Sequence, residues 1–147
     1  MQRDNDFSGG VVTELESEVR SRIMRSVKRA HTKPEVFVRK LIHSLGLRFR
    51  INRRDLPGSP DIVLPKYRTV IFVHGCFWHR HDGCRFSTTP KTRVEYWLPK
   101  FASNVERDAR KERELRELGW RVMIVWECET RDEISLLARL RQEFRLP

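Results

Sequence analysis

The chain has 147 residues, 39% of them hydrophobic, which is enough for one packed core and too little for two comfortable ones. Its 30 Lys and Arg against 20 Asp and Glu give a net charge of +10, spread along the chain, which favours a polyanion such as nucleic acid as partner. There is no run of about 18 apolar residues and no signal-peptide pattern at the N-terminus, so the sequence favours an intracellular protein over a membrane-bound or secreted one.

Two helices are predicted ahead of the first strand. Residues 1–13 are interpreted as a flexible N-terminal arm, and residues 13–27 as a helix with an apolar residue at every fourth position. A second helix starts at Thr32, a predicted N-cap, with Glu35 at the capping-box position, and Gly46 is predicted to end it. Its predicted core residues are Val36, Phe37, Leu41, Ile42 and Leu45.

Three strands are predicted next, in the segments LRFRIN, DIVL and RTVIFV. The turn at Pro65–Tyr67 is expected to join the last two strands as a hairpin. A long charged helix is predicted from about Arg93 to Leu118, interrupted by Pro99 and ended by Gly119.

One strand and one helix complete the chain. The segment WRVMIVW is predicted to be a buried strand, with Trp120 and Trp126 in the core. Thr130, with Glu133 three residues later, is predicted to cap the last helix. The predicted core residues of that helix are Ile134, Leu137, Leu140 and Phe144. This order of elements favours a single α/β domain over residues 1–147 with a mixed sheet.

The segment HGCFWHRHDGC, from His74 to Cys84, holds two of the three cysteines and three of the five histidines. Cys76, His81 and Cys84 are spaced so that one loop can direct three ligands toward a single point. Cys128 follows the last predicted strand, and it would supply a fourth ligand if that strand lies beside RTVIFV. Four protein ligands leave no open position for chemistry, so the predicted Zn²⁺ is structural.

A second metal site is predicted at the hairpin. Asp61 stands at the entrance of one strand and His74 at the end of its partner. A carboxylate joined by a backbone carbonyl of the neighbouring strand is the kind of oxygen site that Mg²⁺ prefers. His74 and His79 lie nearby in the sequence and suit proton transfer near neutral pH. Glu35 has two open interpretations, a capping residue or a catalytic one.

Five segments together resemble a known family. They are PGSPDIVL, VIFVHGCFWHRH, TRVEYW, NVERD and LGWRVMIVWEC. In order and spacing they are similar to the very short patch repair (Vsr) DNA mismatch endonucleases, over roughly Ser21 to Glu129. The resemblance implies a restriction-endonuclease-like fold, with a mixed central sheet flanked by helices. It also implies a Mg²⁺-dependent nick in one strand at a T·G mismatch left by deamination of 5-methylcytosine.

The resemblance also implies roles for individual residues. Asp61 corresponds to the carboxylate ligand of Mg²⁺, Val73 to the backbone-carbonyl ligand, and His79 to the general base. His74 and Glu35 correspond to supporting catalytic positions. The residues that match the zinc ligands are Cys76, His81, Cys84 and Cys128.

Further residues are implied in DNA recognition. Phe77 and Trp78, joined by Trp97, would wedge into the base stack beside the mismatch, where stacking of a ring on a base contributes about 1 to 3 kcal/mol. The alternative, that Phe77 and Trp78 belong to the core, stays open. By the resemblance alone, Met24 would reach the DNA from the opposite groove. The residues expected to read the mismatched bases are Lys100 and Asn104.

Two other functions remain open at this point. One is a restriction-type endonuclease of the same fold that cuts modified or paired DNA. The other is a zinc-containing module that binds distorted DNA without cutting it. For the favoured function we expect a monomer in the bacterial cytoplasm, associated with the nucleoid through double-stranded DNA that contains a T·G mismatch. Mismatch-repair proteins are expected as further partners, and no membrane.

Overall fold

The computed structural model describes residues 32–51 and 53–147, and Lys33–Pro147 form one compact unit. The helices are α1 (Lys33–Ser44), α2 (Val94–Glu117) and α3 (Glu133–Glu143). The strands are β1 (Ile62–Leu64), β2 (Thr69–His74) and β3 (Arg121–Trp126), with short 3-10 turns at Pro65–Tyr67 and Glu127–Arg131. The predicted arm over 1–13, the helix over 13–27 and Met24 lie outside the described residues. None of α1 to α3 combines the length and the apolar character that crossing a bilayer requires.

The sheet has the order β1-β2-β3 and is mixed, as predicted. The hairpin of β1 and β2 is antiparallel, whereas β2 and β3 are parallel and pair from Thr69 with Arg121 to His74 with Trp126. The connection from β2 to β3 contains α2, because parallel neighbours need a long crossover. The two parallel strands therefore end side by side, at His74 and Trp126.

The side chains of the sheet pack into two cores, one on each face. One core contains residues of α1 and α3 together with Ile62, Ile71, Met123 and Val125. The other contains Leu115 of α2 and Trp120, packed on Val63, Val70 and Phe72. The strand period of two thus places Phe72 and His74 on the face that α2 covers.

The predicted strand LRFRIN is wrong. In the described residues of this segment, the only backbone pairing with the sheet is an antiparallel bridge between Arg50 and Val63, with N to O distances of 2.8 Å in both directions. Pro60 and Pro65 bracket β1 and restrict it to three residues, because proline cannot donate to a ladder. Val63 is the middle one, and its outward-facing N–H and C=O bind Arg50.

The helix ends follow the glycine predictions. Gly46 and Gly119 have φ of +78° and +91°, and the residues after them donate to Ile42 and Leu115 in the bonds that close a helix C-terminus. Pro99 does not interrupt α2, which runs through it unbroken. Proline at this position removes a single backbone donor near the start of a 24-residue helix.

The start of α3 differs from the prediction. Asp132, not Thr130, is the N-cap, and its carboxylate accepts from the backbone N–H of Ser135 at 3.2 Å. Thr130 lies in the preceding 3-10 turn and donates to the carbonyl oxygen of Glu127. Ile134 is consequently 83% exposed, and Leu136 takes the core position. In α1, Val38 is buried together with the predicted core residues Leu41 and Ile42, whereas Val36 is only partly buried.

Candidate active site and metal centre

The candidate site lies where β2 and β3 end together. The loop that follows β2 begins at Gly75, and the 3-10 turn that follows β3 carries Cys128. The parallel pairing brings the two segments to one edge of the sheet, where the Sγ of Cys128 lies 3.4 Å from Nδ1 of His81. The prediction that the last strand lies beside RTVIFV, on which the role of Cys128 as a fourth ligand depended, is confirmed.

Four soft or borderline ligands converge at this edge. They are Cys76, His81, Cys84 and Cys128, and their ligand atoms all lie within 4.8 Å of one another. Burial raises the pKa of the Cys76 thiol to about 12 and also raises the pKa of Cys128. Thiols in such surroundings become thiolates when a cation is bound, and three sulfurs with one imidazole nitrogen are a tetrahedral zinc donor set. The residues present therefore fit Zn²⁺.

An oxygen-rich site lies at the entrance of β1. The carboxylate Oδ2 of Asp61 accepts from the backbone N–H of Val73 at 2.7 Å. The N–H and C=O of a strand residue point toward the same neighbouring strand, so the Val73 carbonyl also faces the Asp61 side. Burial, together with the charge of Glu35, raises the pKa of Asp61 to about 7. Such a carboxylate is stabilised by a cation.

Glu35 belongs to the same environment. Its side chain is buried on the inner face of α1, and Arg39 one turn later donates to its Oε1 at 3.3 Å. The charges of both Glu35 and Arg39 act on the pKa of Asp61, in opposite directions. The structure therefore brings Glu35 together with the predicted Mg²⁺ ligand.

The two predicted catalytic histidines stack on each other. The rings of His74 and His79 are parallel to within 6°, with centroids 3.9 Å apart. Burial is the main cause that lowers the pKa of His74, to about 4. Stacked rings hold their in-plane lone pairs in two parallel planes, so no single point lies in both planes and the pair is poorly arranged to chelate one ion. Its geometry suits proton transfer better.

Asp108 is the site residue that sequence reasoning missed. Its Oδ2 lies 2.6 Å from Nδ1 of His79. Burial acts to raise the pKa of Asp108, but the hydrogen bond and charge of His79, together with the charges of His74 and Arg107, hold the pKa below its usual value. The segment NVERD contains Asp108, and this was the only signal that pointed to it.

Trp126 also belongs to the site, so its predicted place in the core is wrong. The residue ends β3 and is only partly buried. Its ring stacks on His81 with centroids 4.2 Å apart and meets His74 edge-on at 5.3 Å. Trp126 thus contacts both His81 of the four-residue Cys/His cluster and His74, one of the predicted catalytic histidines. Trp120, by contrast, is buried as predicted.

The predicted wedge residues form an aromatic cluster against α2. The ring of Phe77 lies 5.1 Å from that of Trp78 and 5.5 Å from that of Trp97. Trp97 is buried, whereas Phe77 and Trp78 are partly exposed. Asn104 donates from its side-chain amide to the carbonyl oxygen of Trp78 at 3.0 Å. Lys100 lies on the same helix and is partly buried.

Comparisons with known proteins identify relatives of this chain. A family model described as DNA mismatch endonuclease Vsr matches residues 13–85. The chain is 54% identical over 127 residues to the type II nicking enzyme V.XorIIP of Xanthomonas oryzae pv. oryzae, which covers 86% of this chain and 93% of that protein. It is 49% identical over 117 residues to the DNA mismatch endonuclease Vsr of Escherichia coli K12, covering 80% and 74% of the two chains. The type II nicking enzyme V.NmeAIP of Neisseria meningitidis is 44% identical over 126 residues, covering 86% and 89%.

These identities extend over most of each chain, well beyond the short motifs around Asp61 and His79. Proteins that are similar over this length and at this level of identity belong to one family and share one fold. The chain therefore belongs to the Vsr family of DNA mismatch endonucleases.

Proposed function

We propose that this endonuclease nicks one strand of double-stranded DNA at a T·G mismatch, in a reaction that depends on Mg²⁺. The observation that carries the proposal is the meeting of three features at one edge of the sheet. They are the Asp61–Val73 oxygen site, the His79–Asp108 pair, and the partly exposed rings of Phe77 and Trp78.

Asp61 and the carbonyl of Val73 would hold the Mg²⁺. The fit is supported by the partly buried carboxylate of Asp61 and the buried carboxylate of Glu35 nearby, since burial of negative charge favours a cation. When bound, Mg²⁺ supplies charge stabilisation for a phosphodiester and lowers the pKa of a coordinated water.

His79 would act as the general base. Its Nδ1 lies against the Asp108 carboxylate, so the neutral ring carries its proton on Nδ1 and leaves the Nε2 lone pair free to accept one from the attacking water. Asp108 then orients the ring and stabilises the imidazolium that forms. His74 holds one face of the ring through the stacked contact.

Replacement of His79 by alanine should slow nicking by about a hundredfold to ten-thousandfold, the usual contribution of a positioned base. Asp108→Asn should slow it by a smaller factor, because the ring remains but loses its carboxylate partner. Single-turnover rates on a T·G duplex measure both effects, and His43→Ala, at an exposed histidine of α1, is the matched control. Rates of the His79→Ala protein within tenfold of the parent would assign the base to another group.

The aromatic cluster would insert preferentially at the mismatched base step of the duplex. A mismatched base pair is cheaper to unstack than a paired one, so a wedge of Phe77, Trp78 and Trp97 gains most where the duplex is weak. Lys100 and Asn104 follow Trp97 on α2 and would contact the mismatched bases, with Met24 on the opposite groove. In the free protein Asn104 binds the carbonyl of Trp78, so reading a base would require it to exchange partners.

Trp78→Ala should reduce the preference for mismatched over matched duplex by about tenfold, since loss of one stacked ring costs about 1 to 3 kcal/mol. Binding to matched duplex should change little. Arg113→Ala, at an exposed position of α2, should instead weaken both complexes alike and make binding less sensitive to salt. Competition binding at two salt concentrations separates these effects. Full mismatch preference in Trp78→Ala would mean that the ring does not stack on DNA.

Zn²⁺ is proposed to be structural, held by Cys76, His81, Cys84 and Cys128. We further propose that the whole chain is one domain of restriction-endonuclease-like fold. It would act as a monomer on nucleoid DNA in the bacterial cytoplasm, with mismatch-repair proteins as partners. A non-catalytic binder is disfavoured, because binding alone has no use for the His79–Asp108 pair.

A second candidate is a nicking enzyme that acts on paired or modified DNA. It is favoured by the relatives that carry the name type II nicking enzyme. The two candidates differ in substrate, so the test compares otherwise identical duplexes with a T·G mismatch, a T·A pair or a 5-methylcytosine·G pair. We expect nicking of the T·G duplex alone at limiting enzyme. Equal nicking of a paired duplex would favour the second candidate.

A further inference from the structure

Arg80 stands between His79, the proposed base, and His81, one of the four clustered ligands. We propose that Arg80 is a positioning residue that determines specificity: it fixes Phe77 and Trp78 against α2 before DNA binds. This inference rests on the proposed function. It adds to the residues that would touch DNA a residue, Arg80, that would hold two of them in place.

The guanidinium of Arg80 binds two parts of the loop after β2. Nη1 donates to the carbonyl oxygen of Phe77 at 3.1 Å and to that of Thr88 at 3.0 Å. Nη2 donates to the carbonyl oxygen of Ser87 at 3.3 Å and to Oγ1 of Thr89 at 3.1 Å. One planar group therefore ties the backbone that carries the first ring to the far side of the loop. Lysine has the charge but not the fork of donors that these four bonds require.

The same guanidinium contacts the aromatic cluster. Its Cζ lies 3.9 Å from the ring centroid of Phe101 and 5.6 Å from that of Phe77, so it covers rings on both α2 and the loop. A guanidinium on a ring face is held by the ring quadrupole. Since Asn104 binds the carbonyl of Trp78, both consecutive carbonyls of the ring pair are held by side chains.

The backbone of Arg80 supports this role. Its φ is 55°, in the left-handed region that few non-glycine residues occupy. Such conformations persist where surrounding contacts over-determine them. Asparagine tolerates this region well, so Arg80→Asn removes the guanidinium and keeps the backbone conformation accessible. Arg80→Lys keeps the charge and removes the fork.

The test compares these two variants in the full chain, each combined with Asp61→Asn so that bound DNA is not cut. Arg85→Ala is the matched control, because it removes one charge from an exposed arginine of the same loop whose guanidinium lies over Phe86. Three quantities are measured: the zinc content, acrylamide quenching of tryptophan fluorescence without DNA, and the ratio of affinities for T·G and T·A duplexes.

With zinc retained, both Arg80 variants should be quenched more strongly than the parent and lose mismatch preference by roughly tenfold, as expected when two aromatic side chains must be ordered during binding. Arg85→Ala should match the parent in quenching and in preference. If Arg80→Lys has the same mismatch preference and the same quenching as the parent, the proposal is overturned, since the charge alone would then suffice. The same result in Arg80→Asn would overturn it as well. If the parent itself has no mismatch preference, the proposed function fails, and the quenching data alone decide whether Arg80 positions the rings.

Discussion

Asp61→Asn is expected to abolish nicking while binding to mismatched DNA is retained or strengthened. Loss of the carboxylate removes the charged ligand proposed for Mg²⁺, and a metal contribution of about 4 kcal/mol corresponds to roughly a thousandfold in rate. The substitution also removes a negative charge from a site that would approach a phosphate. Single-turnover nicking and equilibrium binding, measured on the same T·G duplex, give the two quantities.

The fold should survive this substitution. Burial raises the pKa of Asp61 from 3.8 to about 7, so the folded state binds the proton more tightly than the unfolded chain does. In the metal-free protein, ionisation of Asp61 therefore lowers the free energy of unfolding as the pH rises through this range. Metal-free Asp61→Asn should melt no lower than the metal-free parent at pH 8. Asp55→Asn, at an exposed aspartate paired with Arg53, is the matched control and should nick normally. Nicking by Asp61→Asn within tenfold of the parent would contradict the catalytic assignment.

Cys128→Ser is expected to lose zinc and to destabilise the fold. Cys128 is the only one of the four ligands that comes from the segment after β3, so it ties this end of the sheet to the loop after β2. Structural zinc binds with an apparent free energy of roughly 10 to 16 kcal/mol in small domains, so even a partial loss of about 3 kcal/mol would lower Tm by about 10 °C.

The measurements for this prediction are metal analysis of the purified protein and thermal unfolding with and without added Zn²⁺. Thr130→Ser is a suitable control in the same turn, because serine keeps the hydroxyl that donates to the Glu127 carbonyl. One zinc per chain in the parent, none in Cys128→Ser and an unchanged control are expected. A zinc-free parent whose melting is unaffected by the substitution would contradict the structural metal site.

The convergence of the four ligands could be predicted because it needs one assumption about topology. The apolar runs RTVIFV and WRVMIVW favour neighbouring strands, and once these are parallel their ends and the following loops meet. The hairpin could be predicted equally well, because Pro65 and a short polar turn separate two apolar runs. The hairpin follows from local composition alone. The convergence of the ligands also needs the rule that neighbouring parallel strands end at the same edge of a sheet.

Other parts of the site depend on tertiary contacts that a single sequence does not encode locally. Thr130 with Glu133, and Asp132 with Ser135, are both plausible helix starts, and the 3-10 turn after β3 selects the second. Asp108 stands among many charged residues of α2, and only the position of His79 distinguishes it. Trp126 ends an apolar strand, and only the positions of His81 and His74 show that its ring contacts the site.

Strand-resolved cleavage of a T·G duplex, with a different label on each strand, tests the central claim most directly. Protein that retains zinc but has been freed of Mg²⁺ is mixed with the duplex, and Mg²⁺ is then added. We predict a single nick, confined to the strand that carries the mismatched thymine, that appears only after the addition. The matched T·A duplex should stay intact. Cleavage of both strands, equal cleavage of the matched duplex, or cleavage in the presence of chelator would contradict the account.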